Sequence, residues 1–330
     1  GRLAQAGTIT ERDFHIPGSM DAAITARIDG LDKEAKYLLK IAAILGRSFP
    51  RALLEEIVRE KDILSHVDDL EHSEFLVRIN KHNHPYYAFR HPLFQEVGYN
   101  SILKSERVIY HKIIAETIEA KFPDRLEGYY SVLANHYYQC HNLEKAVPYS
   151  IKAGDEAAGL YANEEALINY QTALGNIGLG PDRNSVLEKI ANIQFLTGQV
   201  EDARNNYQQV LDQAADPLTK ARVAGQIAWI LENTGQIDES IALLEKTIKG
   251  IAHLESPVLI TLNNKLATIL IEAKADNRRA LELIETSLRI AEQIGDKILM
   301  ADGRRMKGHA LYRMGAGREA FAVLQEAIQL

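Results

Sequence analysis

One histidine, His91, sits where alternating aromatics give way to a helical pattern. The stretch is YYAFRHPLFQEVGYNSIL, Tyr86 to Leu103, with Arg90 before the histidine and Pro92 after it. An imidazole at such a junction can cap the helix, ligate a metal, or sense a group supplied from elsewhere through a hydrogen bond. His82 and His84 lie close by in KHNHP. Two loop histidines without carboxylate or thiolate support make a poor metal site, so a solvated loop tip is expected and no metal ligand is assigned. Cys140, the single cysteine, follows NHYYQ in a helical stretch and reads as a packed residue rather than a catalytic thiol. The chain contains no G-x-x-x-x-G-K-[ST], H-E-x-x-H, G-x-S-x-G or paired C-x-x-C. No catalytic residue and no cofactor of its own are therefore expected.

The elements that position His91 follow from periodicity. Residues 1–18 are polar and mixed, without a core of their own, and read as a linker or the tail of a preceding domain. From Met20 a helical pattern runs to Gly30. A second begins after Asp32, a suitable N-cap, carries the stripe Ala35, Leu38, Leu39, Ile41, Ala42 and Leu45, and stops at Gly46. Two short helical patterns occupy 50–58 and 62–72. EFLVRI and YYAF then alternate as strands joined by a polar tip. The second strand runs into a helix over Pro92–Leu103, which Glu96 and Tyr99 should hold against the next, Ser105–Phe122. That helix carries an apolar stripe through Val108, Ile109, Ile113, Ile114 and Ile118. Three helices and a two-stranded ribbon make winged-helix order, assigned to residues 19–122.

From 123 to 330 the pattern is helical and repeats. EDARNNYQQVLDQA, DESIALLEKTIKGI, RRALELIETSLRIA and REAFAVLQEAIQL align with Ala203, Ser240, Ala280 and Ala320 at one position, 37, 40 and 40 residues apart. Twelve residues upstream stand Ala191, Ala228, Thr268 and Gly308, and seven downstream Val210, Thr247, Ser287 and Ala327. Ala134, Ala146 and Ala153 fit the same frame, as do Gly154, Ala166 and Ala173. These two frames are so close that they must share a helix. Small residues recur because antiparallel helices approach closely only there. TGQ at 197–199 and 234–236, and MGAG at 314–317, supply the turns. The expected fold class is therefore all-α with a small β-wing: a winged-helix domain followed by a tetratricopeptide-like α-superhelix with slightly lengthened repeats. Its concave face should carry Asn135, Asn192, Trp229, Ile269 and His309, and one turn on Tyr138, Phe195, Glu232, Glu272 and Tyr312. Trp229, Tyr312, Arg305 and Arg313 are the leading candidates to anchor a protein or peptide ligand, against the alternative that the tryptophan serves packing. The last helix is still apolar on one face at Leu330. The array is thus expected to continue, or to pair there with another chain.

Composition narrows the function classes. Over 330 residues the chain is 46% hydrophobic and 25% charged, with net charge -7. That charge disfavours nucleic acid and anionic membrane as partners. No 18-residue apolar run offers a transmembrane helix, and a single cysteine suits a reducing cytoplasm. In a winged helix the element before the wing enters DNA. Here Arg51 to Glu74 holds Glu55, Glu56, Glu60, Asp62, Asp68, Asp69, Glu71 and Glu74 against Arg51, Arg59 and Lys61, a balance of -5. Protein rather than DNA is the expected partner.

IPGSMDAAITARIDGLDKEAKYLLKIAAILGRSFP and YAFRHPLFQEVGYNSILKSERVIYHKIIAETIE resemble the region after the NTPase domain in multidomain bacterial signalling ATPases of the STAND or AAA-like type, nearest to those linked to class III adenylate or guanylate cyclases. Arg27 and Asp29 in ARIDGL, Ile44 to Phe49 and Phe89 to Tyr99 carry the resemblance, which covers about residues 10–180. The NTPase and cyclase domains themselves are absent from the sequence. The resemblance implies a non-enzymatic regulatory region, an adjacent NTPase domain in cis that holds ATP or ADP, and a protein or peptide ligand on the repeats. It also implies that His91, with Arg90, contacts nucleotide phosphate in the full-length parent. The rival reading is a fragment of a STAND-type transcriptional regulator that binds DNA through the winged helix or a missing domain.

Overall fold

The structure, a computed structural model, describes residues 18–58, 65–81, 84–178 and 180–329. Residues 1–17, Arg59, Glu60, Lys61, Asp62 and His82, on which expectations fell, lie outside the described residues, as does Leu330. The described residues form helices and one small sheet. It divides into two compact units, one ending at Ala153 and one beginning at Gly154.

In the first unit α1 spans Gly18–Asp29 and α2 Lys33–Leu45. Asp32 caps α2 as expected, its Oδ1 accepting from the Ala35 N–H at 2.7 Å, and Ala35, Leu38, Leu39, Ile41 and Ala42 are buried. Gly46, at φ 110, ends the helix in a conformation that only glycine adopts readily. Then follow β1 (Ser48–Pro50), α3 (Arg51–Ile57), α4 (Val67–His72), β2 (Leu76–Lys81) and β3 (His84–Phe89). The expected two-stranded ribbon gains a strand: the sheet is antiparallel, in the order β1-β3-β2. Phe49 of β1 pairs with Tyr87 and is 1% exposed. Three residues ending in proline carry too little pattern to be read as a strand. α5 (Pro92–Asn100) leaves β3 directly, and α6 covers Lys104–Lys121.

α6 corrects the expected stripe. Ile114 and Ile118 are buried, but Ile109 and Ile113 are 56% and 42% exposed. The buried face is His111, Ile114, Ala115 and Ile118, an i, i+3, i+4, i+7 set with a histidine at its head. A 3-10 turn, Pro123–Tyr129, leads to α7 (Tyr130–Gln139) and α8 (Leu143–Gly159). Leu133, Tyr137 and Ala146 share one core with Ile44, Leu53, Ile102, Ile114 and Ile118. The compact unit therefore runs past 122, where the sequence pattern changes, to 153. Glu119 ties this region together, accepting from the hydroxyls of Tyr137 (2.6 Å) and Tyr149 (2.7 Å) and from Lys145 Nζ (2.5 Å).

The second unit stacks helical pairs. After the end of α8 come α9 (Asn163–Asn176), α10 (Pro181–Leu196), α11 (Val200–Gln213), α12 (Pro217–Asn233), α13 (Ile237–Ile251), α14 (Pro257–Ala273), α15 (Asn277–Ile294), α16 (Lys297–Arg313) and α17 (Gly317–Ile328). Ala191, Ala203, Ala228, Ser240 and Ala280 are fully buried, and Ser240 Oγ donates to the Ala228 carbonyl of the paired helix at 2.8 Å. The shared helix is α8: its second half packs on α9, where Gly154 faces the Tyr170 ring. Three turns are alike. The residues after Gly198, Gly235 and Gly315, all at positive φ, donate to the carbonyl five residues back, Gln199 to Gln194, Gln236 to Leu231 and Ala316 to Leu311. Between α14 and α15 the bond runs from Asp276 to Leu270, one residue further. The frame shifts accordingly. Ala267, not Thr268, is the buried small residue, Thr268 is exposed, and Ile269 is 1% exposed, so it cannot belong to a binding face.

Gly154 gives a test of this packing. A Cβ there would lie 2.4 Å from Tyr170 Cε1, in the body of a buried ring. Gly154→Ala is expected to destabilise by about 1–3 kcal/mol. Gly250→Ala, on an open helical surface, is expected to stabilise by up to about 1 kcal/mol. Urea midpoints of the two variants check both signs.

Candidate functional site

His91 is the N-cap of α5. Its backbone is extended, Pro92 follows at the first helical position, and Nδ1 accepts from the Leu93 N–H at 3.2 Å. The cap fixes the chemistry of the ring. With Nδ1 accepting, a neutral imidazole carries its proton on Nε2, and an exposed His91 retains one N–H donor. Arg90 Nη1 lies 3.1 Å from Glu74 Oε1, both exposed. Arg27 reaches the same place from α1. Its guanidinium lies 5.0 Å from the Phe75 ring centre and 5.1 Å from that of Phe94, and Nη2 donates to the Ser73 carbonyl at 2.6 Å. Arg27, Arg90 and His91 line an open groove of about 570 Å³ together with Glu74, the partner of Arg90, and an apolar wall from Met20, Ile24, Leu93 and Phe94. The two sequence candidates are thus adjacent. Arg27 joins them because α1 packs on α5, a contact across some sixty residues of chain. Tyr99 of α5 meets α6 through His111 Nε2 (3.2 Å) and under the Arg107 guanidinium (4.3 Å), whereas Glu96 is exposed.

His84 opens β3 and is exposed. Among the described residues, the group with metal-ligand spacing is instead Asp32, His66 and Asp69, with ligand atoms within 4.8 Å. There Asp32 is occupied as the α2 cap, and His66 Nδ1 bonds Asp69 Oδ2 at 2.8 Å. Cys140 is half-buried, its thiol directed to the Tyr137 carbonyl at 3.4 Å.

In the second unit Trp229 is 37% exposed, its ring 4.3 Å from that of Phe195. Asn192 accepts from the Tyr207 hydroxyl, and Glu232 is half-buried. On α16, Arg305 pairs with Asp302 (2.7 Å), His309 Nε2 lies 3.7 Å from Glu272, Tyr312 is 69% exposed and Arg313 is exposed. The candidates stand on first helices of their pairs and are accessible, Ile269 excepted. Nearby Lys265 donates from Nζ to the Gly225 carbonyl at 2.9 Å, with the Trp229 ring centre 5.6 Å away. Burial lowers its pKa below the ordinary lysine value, and Glu232 acts against that shift.

A buried pair escaped the sequence. His111 Nδ1 and His136 Nδ1 are 2.7 Å apart, and the residues are 3% and 2% exposed. They line a polar cavity of about 550 Å³ with Gln95, Tyr99, Asn135 and Gln139. Their separation of 25 residues leaves no motif to find. One ring must donate and the other accept, so the accepting ring is neutral, and burial disfavours the charged form of both. Burial, aided for His111 by Arg107, lowers His111 to about 4, and burial with its neighbour His111 lowers His136 to about 3.

No family model matches the chain. It is 30% identical over 215 residues to an uncharacterized protein of Rhizobium meliloti (strain 1021), covering 61% of this chain and 21% of that one. The chain thus spans about a fifth of the length of that relative. Among solved structures it is similar to the Signal Transduction ATPase with Numerous Domains (STAND) protein with a tetratricopeptide repeat sensor from Pyrococcus horikoshii. The TM-score is 0.51 at 14% identity, over 94% of this chain and 46% of that one. A Rap protein complexed with competence and sporulation factor gives a TM-score of 0.48 at 13% identity over 94% of this chain and 76% of that one. The likeness to the STAND structure is one of fold, a tetratricopeptide-like helical array.

The histidine pair sets a pH dependence. Below the ordinary histidine pKa of about 6.5 the unfolded chain binds protons that the folded chain refuses, so stability falls as pH falls. From pH 7 to 5 the loss should be about 2 kcal/mol for each imidazole. Replacing the pair, His111→Phe with His136→Leu, should flatten urea stability across that window. An unchanged slope contradicts the neutral pair.

Proposed function

We propose that this chain is the non-enzymatic regulatory and interaction region of a larger signal-transduction ATPase. In this reading the first unit is a winged helix that relays nucleotide state, and the second offers repeats to a protein or peptide ligand. ATP or ADP belongs to an adjacent NTPase domain in cis, a cyclase is the effector that the sequence resemblance favours, and the cytoplasm is the compartment. The observation that carries the reading is the geometry at His91. Its helix cap consumes Nδ1 and leaves an Nε2–H donor in a groove that also holds Arg27 and Arg90. An N–H beside the Arg27 guanidinium and that of Arg90, which Glu74 also engages, suits a phosphate oxygen, and the α5 N-terminus adds partial positive charge. The likeness in fold to a STAND protein with a repeat sensor, across both units, supports the same assignment.

The rival reading through DNA meets an electrostatic obstacle. α4, at the end of the segment that precedes the wing, presents Asp68, Asp69 and Glu71, and Arg78 of the neighbouring strand is already paired with Asp68 and Glu71. Such a surface repels phosphate.

Two outcomes are expected. In the longer chain, His91→Ala should weaken ADP binding by about tenfold and raise basal activity. His91→Asn is the discriminating control, because asparagine caps a helix well but lacks the imidazole donor. It should behave like the alanine variant, and wild-type ADP affinity in His91→Asn would reduce His91 to a cap. By gel shift at low salt this chain should show no salt-sensitive duplex binding. Strong retardation would favour the transcriptional reading.

A further inference from the structure

His136 is a buried imidazole with one nitrogen unused. It is 2% exposed, and a hydrogen bond of 2.7 Å joins its Nδ1 to that of His111. His111 uses both nitrogens, since its Nε2 meets the Tyr99 hydroxyl at 3.2 Å. Nε2 of His136 has no hydrogen-bond partner among the described residues, and His136 lines the polar cavity of about 550 Å³. Polar atoms that a fold removes from bulk water are normally paired, so an unpaired one at a cavity wall calls for a partner from outside the chain.

Arg107 sets the direction of these hydrogen bonds. Its guanidinium lies 4.3 Å from the Tyr99 ring centre, where a cation draws charge from the phenol and favours its hydroxyl as a donor. Tyr99 then donates to His111 Nε2, and His111 donates from Nδ1 to His136 Nδ1. The proton of His136 therefore sits on Nε2, a donor at the cavity wall.

The rest of the wall gives the character of the missing molecule. α2 ends there, and the Ile44 and Leu45 carbonyls of its last turn accept no hydrogen bond among the described residues. The carbonyls of Ala42 and Ala43 just before them accept from the Gly46 N–H and from Gln95 Nε2. Asn135 and Gln139 stand one helical turn apart on α7, to either side of His136, and both are exposed. Each carboxamide holds an acceptor and a donor side by side. Among the described residues no lysine, arginine, aspartate or glutamate lines the cavity. The negative end of α2 disfavours an anion, and the want of a carboxylate disfavours a cation. A neutral molecule is left. To match a carboxamide it must offer a carbonyl and an N–H on one edge, as the lactam-bearing nucleobases do.

We propose that this cavity binds an uncharged heterocycle of the nucleobase type, with His136 donating to a ring carbonyl and Asn135 and Gln139 holding the adjacent amide edge. The site is separate from the His91 groove, for no residue lines both.

The test is calorimetric titration of this chain, carrying isotope-labelled histidine, with uracil and with hypoxanthine. Two further probes are 3-methyluracil, whose edge N–H is blocked, and orotate, which adds a carboxylate to the ring. Uracil or hypoxanthine should bind saturably and shift the His136 Nε2 resonance, with 3-methyluracil and orotate each about tenfold weaker than uracil. Gln139→Leu, at an exposed position, should weaken binding about tenfold, and His136→Leu should abolish it. Ser131→Trp, at an exposed edge of the cavity, should also abolish it, and it decides the question if His136→Leu fails to fold. Uridine bound as tightly as uracil supports a nucleoside as the source, and uridine excluded supports the free base. Equal binding of uracil and 3-methyluracil overturns the amide-edge contact. Orotate bound as tightly as uracil overturns the neutral ligand, and no response to either base overturns the site.

Discussion

The second unit depends on one steric condition: two helices can approach only where at least one side chain is nearly absent. Ala228 against Ser240 and Gly154 against Tyr170 meet that condition, Ala191 and Ala203 are both fully buried in one core, and the surrounding leucines and isoleucines bury area because such close approach is allowed. Ser240 adds a hydrogen bond to the carbonyl of Ala228, which fixes the axial register of its pair as well as the distance. Register then determines which residues can face a ligand. The longer turn between α14 and α15 moves the small position to Ala267, buries Ile269 and leaves Lys265 opposite Trp229.

In the first unit the corresponding constraint is the N-cap of α5. A strand that runs straight into a helix leaves backbone N–H groups unsatisfied, and His91 accepts from one of them. The same bond selects the ring tautomer and so determines which nitrogen remains a donor. Local structure and proposed sensing are therefore two uses of one imidazole. Arg27, held between Phe75 and Phe94, adds charge to the groove, and packing restricts its movement.

Much of this architecture was legible in the sequence, and the failures have physical causes. The α2 stripe, the ribbon β2–β3, the shared helix α8 and the repeat frame all express themselves as spacing. β1 did not, because three residues carry no period. The α6 stripe was misplaced because Ile109 and Ile113 look like core, while the histidine that takes the buried position looks polar. Thr268 satisfied a fixed twelve-residue offset that the longer turn had broken. Of the candidate residues, the adjacency of Arg90 and His91 was plain, but Arg27 beside them and Lys265 beside Trp229 depend on contacts between distant segments. The His111–His136 pair could not have been read, since nothing local marks two histidines as partners.

The central claim is that these two units regulate a nucleotide-binding domain to which they are joined. The most direct measurement is the rate of ADP release from the longer chain, intact and with residues 154–330 removed. If the repeats act through the first unit on bound nucleotide, removal changes the release rate several-fold, and His91→Asn in the shortened chain produces little further change. Identical release rates with and without the repeats would contradict the account.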